Sequence, residues 1–455
     1  MFAIPTSGVS HVRWPAVPDA TGATFLAMLR QFDESERLPM DELVALQFAA
    51  LTGVLGHAGQ TVPYYRDRPV YLETLGAGSL DADAWRRLPV LTRTDLQDAG
   101  TSAVSEAIPP DHTPLTDSLT SGSTGRPVRT VGTRITSIFW HALTLREHVW
   151  QGRDSTCMLA SIRAEGSDRL PAEGLAFNGW GSSIEAVFPP GPCAMLGISH
   201  DIAEQARWLV AHQPSYLLSL PSNLAALARH FLDTGTRLPN LRGVTTYGEM
   251  TGPDVRAVCR DAWGVKVADI YSSQEVGYIA LQCPEAEGLH VQAESVYVEV
   301  LDDEGEACAP GEVGRVVVST LHNYAMPLIR YEVGDYAEVG SPCACGRSLP
   351  VLERIVGRRR NMLRLPTGEL MWPRLPAHEW SPVAPSIRQL QLVQDEIGHL
   401  EARIVASRPL TGQEESAFTA VLGRLLKHPF TVSLTYLDVV DRTQDRKFDD
   451  FVSRV

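Results

Sequence analysis

Basic residues are in deficit. Forty Lys and Arg stand against 54 Asp and Glu, a formal net charge of −14. Nucleic acid is gripped by clustered Lys and Arg, so this balance argues against it as the main partner. A nucleotide ligand needs only one local anion site and stays compatible. Cysteine is scarce as well: seven are scattered along 455 residues. An odd, dispersed set fits reduced thiols in a cytosol rather than a disulfide framework. No apolar run approaches the roughly 20 residues that span a bilayer. The N-terminal text MFAIPTSGVSHVRWP lacks the basic-then-apolar layout of a secretory signal. These absences predict a cytoplasmic location and no membrane partner. Internal repeats and low-complexity tracts are also missing. So is any Gly-x-Ser-x-Gly elbow, which argues against a Ser/His hydrolase.

Hydrophobic residues make up 44% and charged residues 21%, the composition of a well-cored globular protein. The length fits one large domain plus a smaller one. Apolar positions recur at helical spacing over 41–57, 201–212 and 222–233. Between them lie β-rich runs at 216–220, 241–247 and 265–271. Alternating strands and helices predict an α/β fold with a largely parallel sheet. From about residue 289, HVQAESVYVEVLD and GRVVVST flank the turn-rich DDEGEACAPGEVG, which predicts an antiparallel β-subdomain. After Gly357, strand-like RQLQLV, HLEARIVAS and FTVSLTYLDVV surround a helical stretch at 412–427. The expectation is a large N-terminal α/β domain over 1–357 and a small mobile α+β domain over 358–455. The hinge falls near Arg358–Asn361.

One segment is richer in chemistry than the rest: Ser118-Leu-Thr-Ser-Gly-Ser-Thr-Gly-Arg-Pro127. Gly122 and Gly125 permit backbone angles closed to other residues and let the chain approach a ligand closely. Thr120, Ser121, Ser123 and Thr124 supply hydroxyl donors, and successive N–H groups in such a turn form a concave anion site. A flexible linker has similar composition, but the helical stretch starting near Ser137 suits a phosphate site better.

TSGSTGRP resembles the phosphate-binding signature of the adenylate-forming superfamily, and the rest most resembles its phenylacetate–CoA ligase branch. LGHAGQTVPYYR (55–66), LPVLTRTDLQ (88–97), YGEM (247–250), DIYSSQEVG (269–277), GLHVQAESVYVEVLD (288–302), MPLIRYEVGDYAEV (326–339), CACGRSLPVLERIVGR (343–358) and DRKFDDFVSRV (445–455) follow in the expected order. The resemblance covers nearly the whole chain. It implies an ATP- and magnesium-dependent ligase that converts a carboxylic acid to an acyl adenylate and passes the acyl group to CoA or another acceptor. Both reactants are anionic, so neutralising charge carries much of such a rate.

By that resemblance, Thr120–Thr124 hold the β- and γ-phosphates and Glu275 holds magnesium, a hard cation that favours carboxylate oxygens. Tyr271 and Ser272 belong to the same motif, with the tyrosine ring near the adenine. Gly248 and Glu249 match the adenine-side loop. Asp335 takes the ribose hydroxyls, which a carboxylate can accept on both oxygens. Arg358 stands beside the ribose and the hinge. Lys447 resembles the mobile catalytic lysine, whose flexible ammonium can reach the reacting phosphate and withdraw as the small domain rotates. Arg446 stands where the family usually has Gly.

Cys283, His290, Cys343 and Cys345 would complete a tetrahedral structural zinc site of three thiolates and an imidazole. Some members of the branch are similar at these positions. Two inert thiols in a turn and a satisfied strand histidine are the competing reading. Trp140, His141, Phe177, Asn178 and Trp180 are the expected acid pocket, whose aromatics would suit an aromatic or otherwise planar acid. At the hinge, Arg359, Arg360 and Asn361 replace the acidic residues usual in the family. That leaves CoA, a carrier-protein thiol and an amine all open as acceptor. A non-catalytic nucleotide-binding module is the remaining alternative. A homodimer is the commonest soluble assembly.

Overall fold

Apolar periodicity and local capping set the helices. α1 (Ala20–Ser35) starts where the Asp19 carboxylate accepts the Gly22 N–H at 2.7 Å. α2 (Met40–Thr61) covers the predicted 41–57 helix. Short helices α3 (Pro63–Arg66), α4 (Val70–Glu73), α5 (Ala82–Arg86) and α6 (Arg93–Ala99) follow. α7 (Arg134–Trp150) is closed at its start by Thr133 and Thr136, each side chain bonding the other's backbone N–H. α8 (Ser182–Glu185), α9 (Ile202–His212), α10 (Pro221–Thr234) and α11 (Pro253–Trp263) accompany the parallel strands. Both α10 and α11 have Pro in the first turn and a left-handed Gly, Gly235 or Gly264, at the end. α12 (Ala377–Trp380) and α13 (Gly412–Leu425) lie in the C-terminal part.

The computed structural model describes residues 4–76, 80–119, 126–164, 170–358, 361–373, 375–437 and 450–455. The predicted phosphate loop (Thr120, Ser121, Gly122, Ser123, Thr124, Gly125), Arg359, Arg360, Arg446 and Lys447 lie outside the described residues.

A hairpin of β1 (Thr116–Leu119) and β2 (Arg129–Gly132) leads into α7. The main sheet has twelve strands: β3 (Leu159–Arg163), β4 (Leu175–Asn178), β5 (Pro192–Gly197), β6 (Tyr216–Ser219), β7 (Gly243–Tyr247), β8 (Val267–Ser273), β9 (Gly277–Gln282), β10 (Leu289–Val291), β11 (Val296–Leu301), β12 (Val313–Thr320), β13 (Tyr331–Val339) and β14 (Val351–Arg358). Their spatial order is β11-β12-β13-β14-β10-β9-β8-β7-β6-β3-β5-β4. The block β5-β3-β6-β7-β8 is parallel. Its buried Ala160, Ile162, Leu217 and Val244 pack on Leu209, Leu224 and Cys259 of α9–α11. The remaining pairs of the sheet are antiparallel. The antiparallel strands expected as a subdomain are thus continuous with the parallel block through β9 and β10, because each β8–β10 edge is hydrogen-bonded onward.

Past Arg358, β15 (Leu363–Arg364) and β16 (Leu370–Met371) form a hairpin. A separate sheet follows, ordered β19-β18-β17-β20, from β17 (Ile387–Glu396), β18 (His399–Ala406), β19 (Thr431–Tyr436) and β20 (Phe451–Ser453). It shares a core with α13 built on Leu392, Leu400, Ile404, Phe418 and Leu422. No helix among the described residues is long and apolar enough to cross a membrane.

Candidate functional site

Tyr271, Asp335 and Arg358 come from three different strands and meet. Asp335 and Arg358 are register partners on β13 and β14. Arg358 Nε donates to Asp335 Oδ1 at 3.2 Å, and Tyr271 Oη, at the end of β8, donates to Oδ2 at 3.0 Å. Burial and the neighbouring carboxylate both push the Tyr271 hydroxyl well above its ordinary pKa, so it stays a proton donor. Both Asp335 oxygens are therefore oriented, and each keeps acceptor capacity for another hydroxyl. Gly334, with φ +87°, sits immediately before Asp335.

Glu275 lies in the turn between β8 and β9. Its Oε1 is 2.8 Å from Nη1 of Arg93, the first residue of α6. The Glu275 side chain is 8% exposed, so the carboxylate is largely withdrawn from water and its charge is felt strongly nearby. On the neighbouring strand end, Gly248 has φ +74°, a left-handed turn that Gly takes without strain. Glu249 follows it, with one carboxylate oxygen accepting the Ser222 N–H at 3.0 Å at the start of α10. Below this loop, Asp269 is buried, and its Oδ1 accepts the Thr246 and Thr251 hydroxyls at 2.7 and 2.9 Å. Those bonds tie the ends of β7 and β8 together under the loop.

A second cluster lies away from this pole. Cys283, His290, Cys343 and Cys345 place one ligand atom each within 4.8 Å of one another. Cys283 Sγ and Cys343 Sγ are 3.8 Å apart, and Cys345 Sγ is 3.3 Å from His290 Nε2. A tetrahedral ion with bonds of about 2.3 Å to sulfur has ligand–ligand edges of about 3.8 Å. The four donors fit such an ion. His290 Nδ1 faces the Leu349 carbonyl at 3.4 Å, which leaves Nε2 toward the thiols. A backbone acceptor on the far nitrogen is the usual way a ligating ring is oriented. Arg347 and Arg146 flank the cluster around Glu36, and both guanidiniums stack on the Trp150 ring at 4.7 Å.

Comparisons with known proteins place this scaffold. No family model matches the chain. The phenylacetate–coenzyme A ligase of Thermus thermophilus is 27% identical over 344 residues, 72% of this chain and 73% of that protein. The enzyme of the same name from Escherichia coli is 26% identical over 352 residues, 73% of this chain and 75% of that protein. Among solved structures, a 2-hydroxyisobutyryl-CoA ligase in its postadenylation state superimposes with a TM-score of 0.70 at 19% identity, over 92% of this chain and 91% of that one. An anthranilate CoA ligase bound to anthranoyl-AMP reaches 0.53 at 16% identity, over 73% and 64%. The chain is similar to phenylacetate–CoA ligases over nearly three quarters of its length and shares the fold of acyl-CoA ligases.

The expected acid-pocket residues are not all brought together. Trp140 projects from α7 onto Tyr278 of β9, with ring centroids 4.4 Å apart, and is 43% exposed. Gly277, at φ +91°, faces the same ring. His141, one position on, turns to Ser183 of α8 at 2.7 Å and to the Phe25 ring. Phe177 and Asn178 lie on the exposed edge strand β4, opposite Cys193 and Pro192 at the start of β5. Trp180 packs between His148 and Tyr216, and its Nε1 donates to the Cys157 carbonyl. The last three sit at the starts of the parallel strands, opposite Gly248 and Tyr271 at the strand ends. The expectation that all five line one cleft is corrected for them: the text 177–180 is local to β4, whose antiparallel course carries it away from the strand ends. Ser272 is placed beside Tyr278 in the β8–β9 register.

The sequence reading missed Arg93, Tyr278 and the Thr246–Thr251–Asp269 triad. Arg93 stood inside the quoted run LPVLTRTDLQ, and a basic residue in an otherwise polar turn carries little signal alone. Its role depends on an approach to Glu275 from 182 residues away.

Proposed function

We propose that this chain activates a small carboxylic acid with ATP, forming an acyl adenylate and pyrophosphate, and then transfers the acyl group to CoA. The observation that carries the reading is the meeting of Tyr271, Asp335 and Arg358 on a scaffold shared with acid–CoA ligases. Asp335 is set to accept the ribose hydroxyls, while Arg358 and Tyr271 hold its carboxylate in place. Tyr271, Ser272, Gly248 and Glu249 frame the adenine side. Glu275 and the phosphates hold magnesium, which lowers the charge barrier between two anions. Thr120–Gly125 grip the triphosphate. Lys447 supplies the cation at the α-phosphate. Trp140 on Tyr278 offers a flat apolar wall, which suits an aromatic acid.

Two further assignments belong to the same reading. The chain divides into 1–357 and 358–455, and the smaller part rotates to carry Lys447 in and out. Cys283, His290, Cys343 and Cys345 hold a structural zinc ion that clamps β9, β10 and the 343–347 turn. Burial pushes the His290 imidazole down to about 4, so the ring is neutral near pH 7.

The test is pyrophosphate release with ATP and magnesium across a panel of aromatic and short-chain acids, with and without CoA. Release with one acid, and a thioester only when CoA is present, is expected. Release indifferent to CoA moves the acceptor to a carrier-protein thiol or an amine. No release with any acid beside measurable ATP binding overturns the catalytic reading. Lys447→Ala is expected to lose most adenylate formation and keep ATP binding; unchanged pyrophosphate release removes Lys447 from the role.

A further inference from the structure

Arg163 ends β3 at the pole where the parallel strands finish, which is where ligands bind in such sheets. Strand alternation puts it on the same face as Ser161, while Ala160, Ile162 and Ala164 enter the core under α9–α11. Its Nε donates to Ser161 Oγ at 2.9 Å, and Ser161 is buried. Its guanidinium carbon lies 5.6 Å from the centroid of Tyr247, which ends β7 just before Gly248. It is also near enough to Tyr278 for its charge to pull down a hydroxyl that burial pushes up to about 12. Arg163 thus lies beside Tyr247, within electrostatic reach of Tyr278.

No ion pair with a carboxylate holds it among the described residues, unlike several other half-buried or buried arginines. Arg146 meets Glu36 and Glu294, Arg153 meets Glu147, Arg330 meets Glu299, and Arg358 meets Asp335. Among the described residues no carboxylate pairs with Arg163. A half-buried guanidinium is expensive to leave without a counter-charge, and its planar fork matches a carboxylate. Ser161 fixes Nε, and no acceptor for the two terminal nitrogens is found among the described residues.

We propose that Arg163 is a specificity-determining residue, and that the acid activated here carries a second carboxylate, which Arg163 binds at the far end of a planar substrate. The inference rests on the adenylation reading above and names its substrate class: a flat dicarboxylic acid, one carboxylate activated and the other held. Tyr247 and Trp140 provide faces for the ring between them.

The experiment compares phenylacetate with 4-carboxyphenylacetate, and benzoate with terephthalate, in acid-dependent pyrophosphate release. The parent enzyme is expected to favour the dicarboxylate by at least about 10-fold in kcat/KM, since a charged hydrogen-bonded pair is of that size. Arg163→Gln is expected to raise KM for the dicarboxylate about 10- to 100-fold and to change monocarboxylate turnover less than about 2-fold. Arg163→Lys is expected to recover part of the loss. Equal losses with both acids overturn the inference and indicate a structural pairing, for which Glu165 and Asp168 follow in sequence outside the described residues. A parent that prefers monocarboxylates overturns it alone and leaves adenylation standing. No pyrophosphate with any acid overturns adenylation and this inference together.

Discussion

Asp335 holds two partners on two oxygens, so its charge and its geometry are separable. Asp335→Asn keeps the shape but loses the anion that Arg358 and Tyr271 orient. Hydrogen bonds to a charged group are worth about 1.5–3 kcal/mol. The expected result is a KM for ATP raised about 10- to 100-fold in pyrophosphate release, with little change at saturating ATP. A lowered kcat with unchanged KM removes Asp335 from nucleoside binding. Glu275 gives a second residue-level prediction. Glu275→Gln keeps an acceptor for Arg93 but not the charge, so more magnesium is expected for half-maximal rate. A magnesium titration that superimposes on the parent's takes the ion away from Glu275. The tyrosine, aspartate and arginine of the first group were named from resemblance to family motifs, and the fold brings the three together. Arg93 was not named: its partner lies far away in sequence, and only the fold joins them.

α7 is the element that links the two ends of the parallel block. Its start is fixed by the reciprocal Thr133–Thr136 cap, and Glu147 and His148 in its C-terminal half meet Arg153 just beyond its end. Thr133→Ala is expected to cost ~1 kcal/mol, read as a lower urea midpoint. A variant as stable as the parent rules out the cap as a contributor. His148 supplies the pH dependence. Burial, with the adjacent Arg153 charge, lowers its pKa from 6.5 to about 4, partly offset by Glu147. The folded state therefore binds fewer protons than the unfolded one between those values, and stability falls as pH drops from 6.5 toward 4. The full effect is about 3 kcal/mol. His148→Gln is expected to flatten the fall in urea midpoint between pH 7 and pH 4.5; an equally steep fall assigns the dependence to other groups. The helix of this region was legible as the stretch starting near Ser137, whereas β9 was not among the strand-like runs. The pairing of α7 with β9, through Trp140 on Tyr278 and the Thr144–Tyr278 hydroxyl contact at 3.1 Å, was not legible.

The Cys/His cluster acts on the whole large sheet, because it joins β9, β10 and the segment before β14. Arg347, two residues after Cys345, continues the connection through Glu36 to Arg146 on α7 and back to α1. Structural zinc contributes about 10 kcal/mol or more of folding free energy in small domains. Purified enzyme is expected to contain one zinc per chain, and prolonged chelation is expected to lower the thermal midpoint by many degrees. Cys343→Ser is expected to do the same with its zinc lost. Metal content well below one per chain, without chelator exposure, counts against the site. All four donors were named in the sequence, but only the β9–β10–β14 pairing brings Cys283 and His290 to the C-x-C pair.

By itself the sequence determined the α/β alternation and the separate strand–helix–strand text after Gly357. Those follow from local period, turn chemistry and residue type, which act over a few neighbours. Tertiary structure alone decided that the antiparallel strands extend the parallel block as one sheet, that Trp180 and Phe177 face away from the strand ends, and that Arg93 meets Glu275. It also decided that Arg163 keeps a guanidinium with no carboxylate among the described residues. Such facts depend on contacts between segments far apart in the chain, where register and crossover, not local propensity, choose the neighbours.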